Sequence, residues 1–389
     1  MNLDIQFKVG SKFRMSMIVL IAVGLIAIIA GFMTGEAHRT WANLLLNNYY
    51  FLSLAIGAIF WMTMQSITQS GWSSSYLRIP QAMGIYLLVS FVLWFIMFFG
   101  VHDLYHWTHP EAVENDPILL HKSGYLNLPF FSVRFVVFFL LWIFLSLRIR
   151  NLSIKEDTEG GTKFFEKAEL TSKILIFVLA FSFSLFSIDW LMSLDAHWYS
   201  TIYAIKKFVS AFLHGTAIVA AIAVILHMQG YFPQLTKSHK ADFQRYIFAL
   251  SIIWGYMWLS QYLLIWYANI PEETVYYVPR IMTEYKTLFY AELILNWFIP
   301  FTFLMWNKIG KTNWGLLTII AILIIGQWVE LYMSIMPGTV EAHNITYIEI
   351  GSFLGYFGIF ALVVAIALSK ANLIPKKHPY LMESLHDDH

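Results

Sequence analysis

The sequence predicts an all-α integral membrane protein with ten transmembrane helices and both termini in the cytoplasm. Hydrophobic residues make up 58% of the 389 residues and charged residues only 13%, and the mean hydropathy is +0.62. Ten apolar stretches are each about 20 residues long, which is the length that crosses a bilayer. A soluble domain of this size could not bury so much apolar surface. The net charge of +1 argues against nucleic acid as a partner.

The ten predicted spans follow one another with mostly short connections. The first is preceded by basic residues, but its apolar run is too long for a signal peptide and no clear cleavage site follows, so we expect a retained helix. In the tenth, Gly351 and Gly355 form a small-residue face of the kind that lets helices pack closely. The spans are predicted at about 15–34, 49–69, 80–101, 130–149, 172–194, 203–228, 245–268, 286–306, 314–335 and 347–369.

Lysine and arginine are concentrated in alternate connections, which is the bias that marks cytoplasmic loops. The connection after the fourth span is basic from Arg148 to Lys173, and further basic residues precede the first span and follow the sixth, eighth and tenth. The opposite loops carry acids such as Asp103, Glu111 and Glu272. An even number of spans with both ends in the cytoplasm follows from this asymmetry.

A weak internal similarity divides spans two to nine into two units. Span three begins after Arg78 and span seven after Arg245, and each then leads into an acidic outer loop. We therefore predict two four-helix bundles and two flanking helices. The divisions are 1–48 for the amino-terminal segment with the first flanking helix, 49–171 for helices two to four of the first bundle with their loops, 172–202 for helix five and the outer-face motif closing that bundle, 203–336 for the second bundle, and 337–389 for the last flanking helix and the cytoplasmic tail.

Spans six to nine each carry polar groups well inside the apolar stretch. An ionisable group at mid-membrane costs roughly 2.5–3.5 kcal/mol, and its default interpretation is functional. Lys207 and His214 lie on one face of span six, because they are seven residues apart. Glu292 and Asn296 are one turn apart in span eight, and Pro300 cannot donate a hydrogen bond to the carbonyl of Asn296, which leaves that oxygen free.

Two interpretations of these groups remain open. In the first, Glu292 and Glu330 exchange protons along a hydrated path and His214 relays them. In the second, the groups form hydrogen bonds between helices worth about 0.6 kcal/mol each, which we favour for the amides. No catalytic residue is predicted. The candidates for the proton path are Glu292, Glu330, His214, Asp189, Gln261, Asn296, Gln327 and Lys207.

The first unit offers fewer deep polar groups, and its polar side chains gather at the outer end. His102 and His106 are four residues apart, but no third ligand follows at helical spacing, so we expect no metal there. Asp189 lies at the outer end of span five, on the same side of the membrane. Intrinsic haem is not expected because only His214 is deep. The chain has no cysteine for an iron–sulfur cluster.

Two motifs remain outside the interpretations above. Residues 187–203 contain Asp-Trp-Leu-Met-Ser-Leu-Asp-x-His-Trp-Tyr-Ser-Thr. Residues 260–273 read Ser-Gln-Tyr-Leu-Leu-Ile-Trp-Tyr-Ala-Asn-Ile-Pro-Glu-Glu. These motifs resemble the membrane subunits of bacterial alternative complex III, which belong to the NrfD/PsrC-like superfamily. The first motif is shared by both large membrane subunits of that complex, and the second resembles the ActF type in particular. The resemblance covers essentially all ten spans.

The resemblance implies a multi-pass subunit of the bacterial inner membrane within a quinol-oxidising respiratory complex. Such a complex passes electrons to cytochrome c or to a terminal cytochrome oxidase. Its iron–sulfur clusters and c-type haems are held by partners: an iron–sulfur/molybdopterin-like subunit, multihaem cytochrome c subunits and a sister NrfD-like subunit with the main quinol site. The ActF-type chain is expected to bind no redox cofactor, to contact lipids, and to serve as scaffold and proton path.

Two other functions remain as alternatives. This chain could itself bind and oxidise quinol at the outer face through His102, His106 and Asp189, which lie on the side where protons would be released. It could also be a stand-alone ion or solute transporter, because ten helices, a repeat and intramembrane acids all fit that class. Against the transporter, the spans lack the paired glycine and proline interruptions that produce broken helices.

Overall fold

The computed structural model describes residues 4–340 and 344–386, apart from the side chain of Asn307. Within these residues ten helices are long and apolar enough to cross a membrane. The described part of the chain contains no β-strand, only an isolated bridge between Gln6 and Asn372. The prediction of an all-α chain with ten membrane-spanning helices is confirmed at this level.

We number the long helices α1 to α10. The third continues beyond its regular part through Met97–Gly100 and Val101–Leu104, and short helices occupy several connections. The bounds are α1 Ser11–Met33, α2 Ala37–Ile67, α3 Arg78–Ile96, α4 Leu128–Glu159, α5 Lys163–Trp190, α6 Thr201–Met228, α7 Lys237–Ala268, α8 Lys286–Leu304, α9 Asn313–Ile335 and α10 Tyr347–Ser369.

Several helices are longer than the hydrophobic stretches that predicted them. Helix α2 begins at Ala37 rather than at 49, and α4 runs on to Glu159 rather than ending at 149. The predicted loop over 150–171 is therefore mostly helical, and the predicted divisions at 49 and 172 fall inside α2 and α5. Hydropathy marks the thickness of the hydrocarbon, whereas a helix continues until a residue such as Gly160, at φ +74°, ends it.

Helix α8 is irregular where Pro300 disturbs its backbone. Residues Ile294–Phe298 form a π-helical turn between two α-helical parts, which is a common adjustment at functional sites. The carbonyl of Asn296 accepts a hydrogen bond from the Ser251 hydroxyl of α7 at 2.6 Å. The prediction that this carbonyl is free for a side chain is confirmed.

Glycine contacts fix the closest helix crossings. A Cβ on Gly57 of α2 would lie 1.7 Å from the carbonyl oxygen of Ala211 in α6, and a Cβ on Gly215 would lie 2.4 Å from the backbone of α2. Helices α1 and α10 meet in the same way at Gly24 and Gly355. The predicted close packing of the small-residue face in the tenth span is confirmed.

The helix contacts close into two circuits. Helices α2, α3, α4 and α5 contact one another in that order, and α5 returns to α2. Helices α6, α7, α8 and α9 do the same, and α9 returns to α6. Helix α2 also packs along α6, and α10 packs against α1, α2 and α3.

Both ends of the described chain lie on one face of the helical layer. The backbone N–H of Leu373 donates to the carbonyl of Ile5 at 2.9 Å, and Ser384 in the tail donates to the carbonyl of Trp72 at 2.7 Å. We call this side the termini face. It comprises residues 4–10, 68–77, 160–162, 229–236, 305–312 and 370–386, and the opposite face comprises 34–36, 105–127, 191–200 and 269–285.

Candidate functional site

Helices α6, α8 and α9 place two ion pairs in the interior of the second circuit. Lys206 Nζ lies 3.3 Å from Glu292 Oε1, and Lys207 Nζ lies 2.9 Å from Glu330 Oε1. All four side chains are buried. Consecutive residues of a helix point about 100° apart, so the first lysine reaches α8 and the second reaches α9. We call these four residues the lysine–glutamate cluster.

Glu330 is held by donors from two further directions. The Ser210 hydroxyl of α6 donates to Oε2 at 2.6 Å, and Trp254 Nε1 of α7 donates to the same oxygen at 2.9 Å. Lys207 also donates to the Ser334 hydroxyl at 2.6 Å. Such charge-assisted bonds stabilise a buried carboxylate that has been removed from water.

Glu292 has a different environment, because it borders a small cavity. Lys206 and Trp258 Nε1 both donate to Oε1. The carboxyl also lines a small cavity of about 10 Å³ together with Gln261 and Arg280, which is room for about one water molecule. Glu292 thus borders a cavity in addition to its hydrogen-bond donors.

His214 lies one turn beyond Ser210, and both of its ring nitrogens contact oxygen. Nδ1 is 2.7 Å from the backbone carbonyl of Ser210, and Nε2 is 2.9 Å from Oδ1 of Asn296. The Asn296 amide is oriented by its own donation to the carbonyls of Glu292 and Gly326, at 3.0 and 2.9 Å. An imidazole can donate at both nitrogens only as the cation, so the surroundings of His214 can accommodate an added proton.

Arg280 closes the cluster on the side of the opposite face. It is 2% exposed, donates from Nε to the carbonyl of Met333 at 2.8 Å, and stacks 3.5 Å from the ring centre of Tyr276. Burial raises the pKa of the Tyr276 phenol, partly offset by Arg280, so this side chain stays neutral.

Two of the predicted amides lie at the edge of the cluster rather than within it. Gln261 lines the cavity beside Glu292 and donates to the Ser200 hydroxyl at 3.4 Å. Gln327 donates to the Ser53 hydroxyl of α2 at 2.7 Å, so it joins α9 to the first circuit.

The structure separates Asp189 from the cluster. Arg134 of α4 binds it through two bonds, Nε to Oδ2 at 2.8 Å and Nη2 to Oδ1 at 2.9 Å. The guanidinium also lies 3.9 Å from the ring centre of Tyr125. Asp189 thus belongs to a bidentate ion pair between α4 and α5.

His102 and His106 are exposed on the opposite face, whereas Asp189 is buried. His102 Nδ1 lies 3.1 Å from the Thr108 hydroxyl, and His109 Nε2 contacts the carbonyl of His102 at 2.9 Å. Over residues 4–340 and 344–386, no group of three or more histidine, aspartate or glutamate side chains has the geometry of a metal site.

Sequence reasoning missed several members of the site. Lys206, Trp254, Trp258, Arg280 and Arg134 were not among the predicted residues. A signal existed for four of them: two consecutive lysines in an apolar span are costly, as is Arg134 inside the predicted span 130–149, and two tryptophans one turn apart with Gln261 following at i+7 define one face of α7. Arg280 gave no such signal, because it lies in a connection outside the predicted spans.

The arrangement can hold, orient and exchange protons. It joins two acids, two bases and a histidine through hydrogen bonds of 2.6 to 3.3 Å. No protein-family model matches this chain, and no curated protein matches it.

Proposed function

We propose that α6 to α9 conduct protons through the lysine–glutamate cluster, and that the chain is a non-catalytic subunit of a quinol-oxidising respiratory complex. The observation that carries the proposal is the buried pairing of Lys206 with Glu292 and of Lys207 with Glu330. Four unpaired charges at this depth would cost about 10–14 kcal/mol on insertion scales. Apolar side chains would fill the same space without that cost, so we assign the charges a function.

The proposed path begins at His214 and follows hydrogen bonds through the Ser210 hydroxyl, 3.3 Å from His214 Nδ1, to Glu330. It then passes between the two ion pairs to Glu292, a step that the lysines themselves do not bridge, because ammonium groups donate and cannot accept hydrogen bonds. From there it reaches the cavity beneath Arg280. With both lysines charged and both acids ionised the cluster is neutral, so a single added proton leaves only one net charge inside the membrane.

The membership of a respiratory complex rests on the resemblance to the ActF-type subunits. The two motifs that carry it, 187–203 and 260–273, contact each other where Gln261 donates to Ser200. This contact lies beside the cavity that borders Glu292, which supports a shared role. Iron–sulfur clusters, c-type haems and the main quinol site are assigned to partner subunits, and a terminal cytochrome oxidase is a further partner.

We also propose the finer architecture: two four-helix bundles with α1 and α10 flanking them, in the bacterial inner membrane, with both termini in the cytoplasm. The two closed circuits of helix contacts support the bundles. The basic connections at the termini face support the orientation, because lysine and arginine are retained on the cytoplasmic side. No contact in the described residues favours the outer-face quinol site or the stand-alone transporter.

The test is quinol-driven proton movement in liposomes that contain the purified whole complex. We expect Glu292→Gln and Glu330→Gln to retain electron transfer and to lose vectorial proton movement. Glu349→Gln is the matched control, because Glu349 forms a buried ion pair with Arg39 at 2.8 Å outside the proposed path, and we expect it to retain both activities.

Two outcomes would contradict the proposal. Normal proton movement in both Glu292→Gln and Glu330→Gln would make these carboxyls packing groups. An equal loss in Glu349→Gln would show that removal of any buried carboxylate damages the complex. Separately, a tagged chain that purifies without haem-containing partners in mild detergent would refute the assignment to a respiratory complex.

A further inference from the structure

A groove between α4 and α5 opens at the termini face and combines basic and apolar walls. Its volume is about 500 Å³. Phe144, Arg148 and Lys155 of α4 line it, and Lys167 of α5 lines its other side. It lies apart from the lysine–glutamate cluster, which is built from α6 to α9.

The α4 wall changes from apolar to basic along one helix face. Phe144, Arg148 and Lys155 are spaced by four and seven residues, so they share that face, and Asn151 lies between the two basic residues on the same wall. The groove therefore has an apolar half followed, towards the chain termini, by a basic half.

The change occurs at the depth where a bilayer changes from hydrocarbon to headgroups. Helix α4 begins at Leu128, and the 20 residues up to 147 cover about 30 Å, the thickness of the hydrocarbon. Arg148 then lies at the boundary, and the Cα atom of Lys155 about 10 Å beyond it. The headgroup layer on one side is roughly 5–8 Å thick, so the two residues lie on either side of that layer and their long side chains can reach lipid phosphates within it.

Within the described part of the chain, the basic side chains of the groove have no side-chain partner. Arg148, Lys155 and Lys167 are exposed, and none forms a side-chain hydrogen bond or ion pair within the described residues. The neighbouring acids that are paired point elsewhere: Asp157 binds Arg78 at 2.6 Å, and Glu169 binds Lys173 at 2.7 Å. Among residues 4–340 and 344–386, no acidic side chain lines the groove.

We propose that this groove binds an anionic phospholipid, with its phosphate among Arg148, Lys155 and Lys167 and an acyl chain against Phe144. Basic pockets between membrane helices bind such headgroups. A free phosphate or an acidic protein segment would match the charge but would leave the apolar half at hydrocarbon depth unexplained. A lipid satisfies both halves.

The experiment is native mass spectrometry of the purified protein, with its associated subunits, titrated with phosphatidylglycerol, cardiolipin and phosphatidylethanolamine. The test variant is Arg148→Gln/Lys155→Gln/Lys167→Gln. The matched control is Lys12→Gln/Lys163→Gln/Lys370→Gln, which removes the same charge at or within a few residues of the termini face and leaves the groove intact. All six positions lie outside the buried core, so both variants should fold.

We expect anionic lipid to bind the wild type and the control equally. At about 1 kcal/mol per basic residue near the surface, the test variant should bind on the order of 100-fold more weakly, and each single substitution roughly fivefold. Phosphatidylethanolamine should bind weakly to all three proteins. The proposal would be overturned if the test and control variants lost equal affinity for anionic lipid. It would also be overturned if phosphatidylethanolamine bound the wild type as tightly as the anionic lipids do. Loss of a protein subunit, but of no lipid, from the test variant would also overturn it.

Discussion

Replacing Lys207 by methionine tests whether the lysine–glutamate cluster depends on charge pairing. The substitution keeps the length of the side chain and removes the ammonium group 2.9 Å from Glu330. Ser210 and Trp254 would still donate to the carboxylate, but no countercharge would remain in direct contact. Removing one partner from a buried ion pair typically costs 3–5 kcal/mol of the free energy of unfolding.

Proton binding sets an independent limit on that cost. The carboxyl of Glu330 can become neutral, and for an ordinary pKa of about 4.3 this costs about 3.7 kcal/mol at pH 7. We therefore expect Lys207→Met to lower the free energy of unfolding by about 3–4 kcal/mol at pH 7. In the folded variant Glu330 holds a proton that it lacks in the unfolded state, so this loss should shrink as pH falls, to about 1 kcal/mol at pH 5.

The assay is reversible unfolding by sodium dodecyl sulfate in mixed micelles, at pH 7 and pH 5. It compares wild type, Lys207→Met, Glu330→Gln and the double variant, with Lys12→Met as the exposed control. The double variant should be more stable than either single variant, because it leaves no unpaired charge. The reasoning would be refuted if the double variant lost the sum of the two single losses in the free energy of unfolding, and if the loss in Lys207→Met were the same at pH 7 and pH 5.

Three further predictions concern packing, pH and hydrogen bonding. Gly215→Ala should destabilise the α2–α6 crossing by about 1–3 kcal/mol or more, whereas Gly84→Ala, whose nearest neighbour would be at 3.5 Å, should have little effect in the same unfolding assay. Burial, with a smaller contribution from Arg78, lowers the pKa of His378 to about 4. An undocked His378, with the ordinary pKa of about 6.5, therefore binds a proton more readily than the docked one, so docking of the tail should weaken as pH falls from 6.5 towards 4. Hydrogen exchange over 370–386 measures this weakening, and His378→Gln should remove the pH dependence. Trp258→Phe should cost about 1–3 kcal/mol by leaving Glu292 short of a donor, and unchanged stability would argue against that hydrogen bond.

Much of the fold could be predicted because insertion into a membrane depends on local composition. Each apolar stretch is long enough to span by itself, and the prediction of ten spanning helices is confirmed. The free-energy cost of an ionisable side chain inside the bilayer likewise marked Glu292, Glu330 and His214 as unusual. Helix ends were predicted less well, as the early start of α2 at Ala37 illustrates, because backbone hydrogen bonding continues past the hydrocarbon boundary.

By itself, therefore, the sequence determined which segments are apolar enough to span and which polar residues lie deep within them. Only the tertiary structure decided how those residues pair: Lys206 with Glu292, Lys207 with Glu330, and Asp189 with Arg134. The physical reason is that a side chain's partner depends on the rotation and separation of helices. These are set by close crossings such as that between α2 and α6 at Gly57, and no local pattern records them.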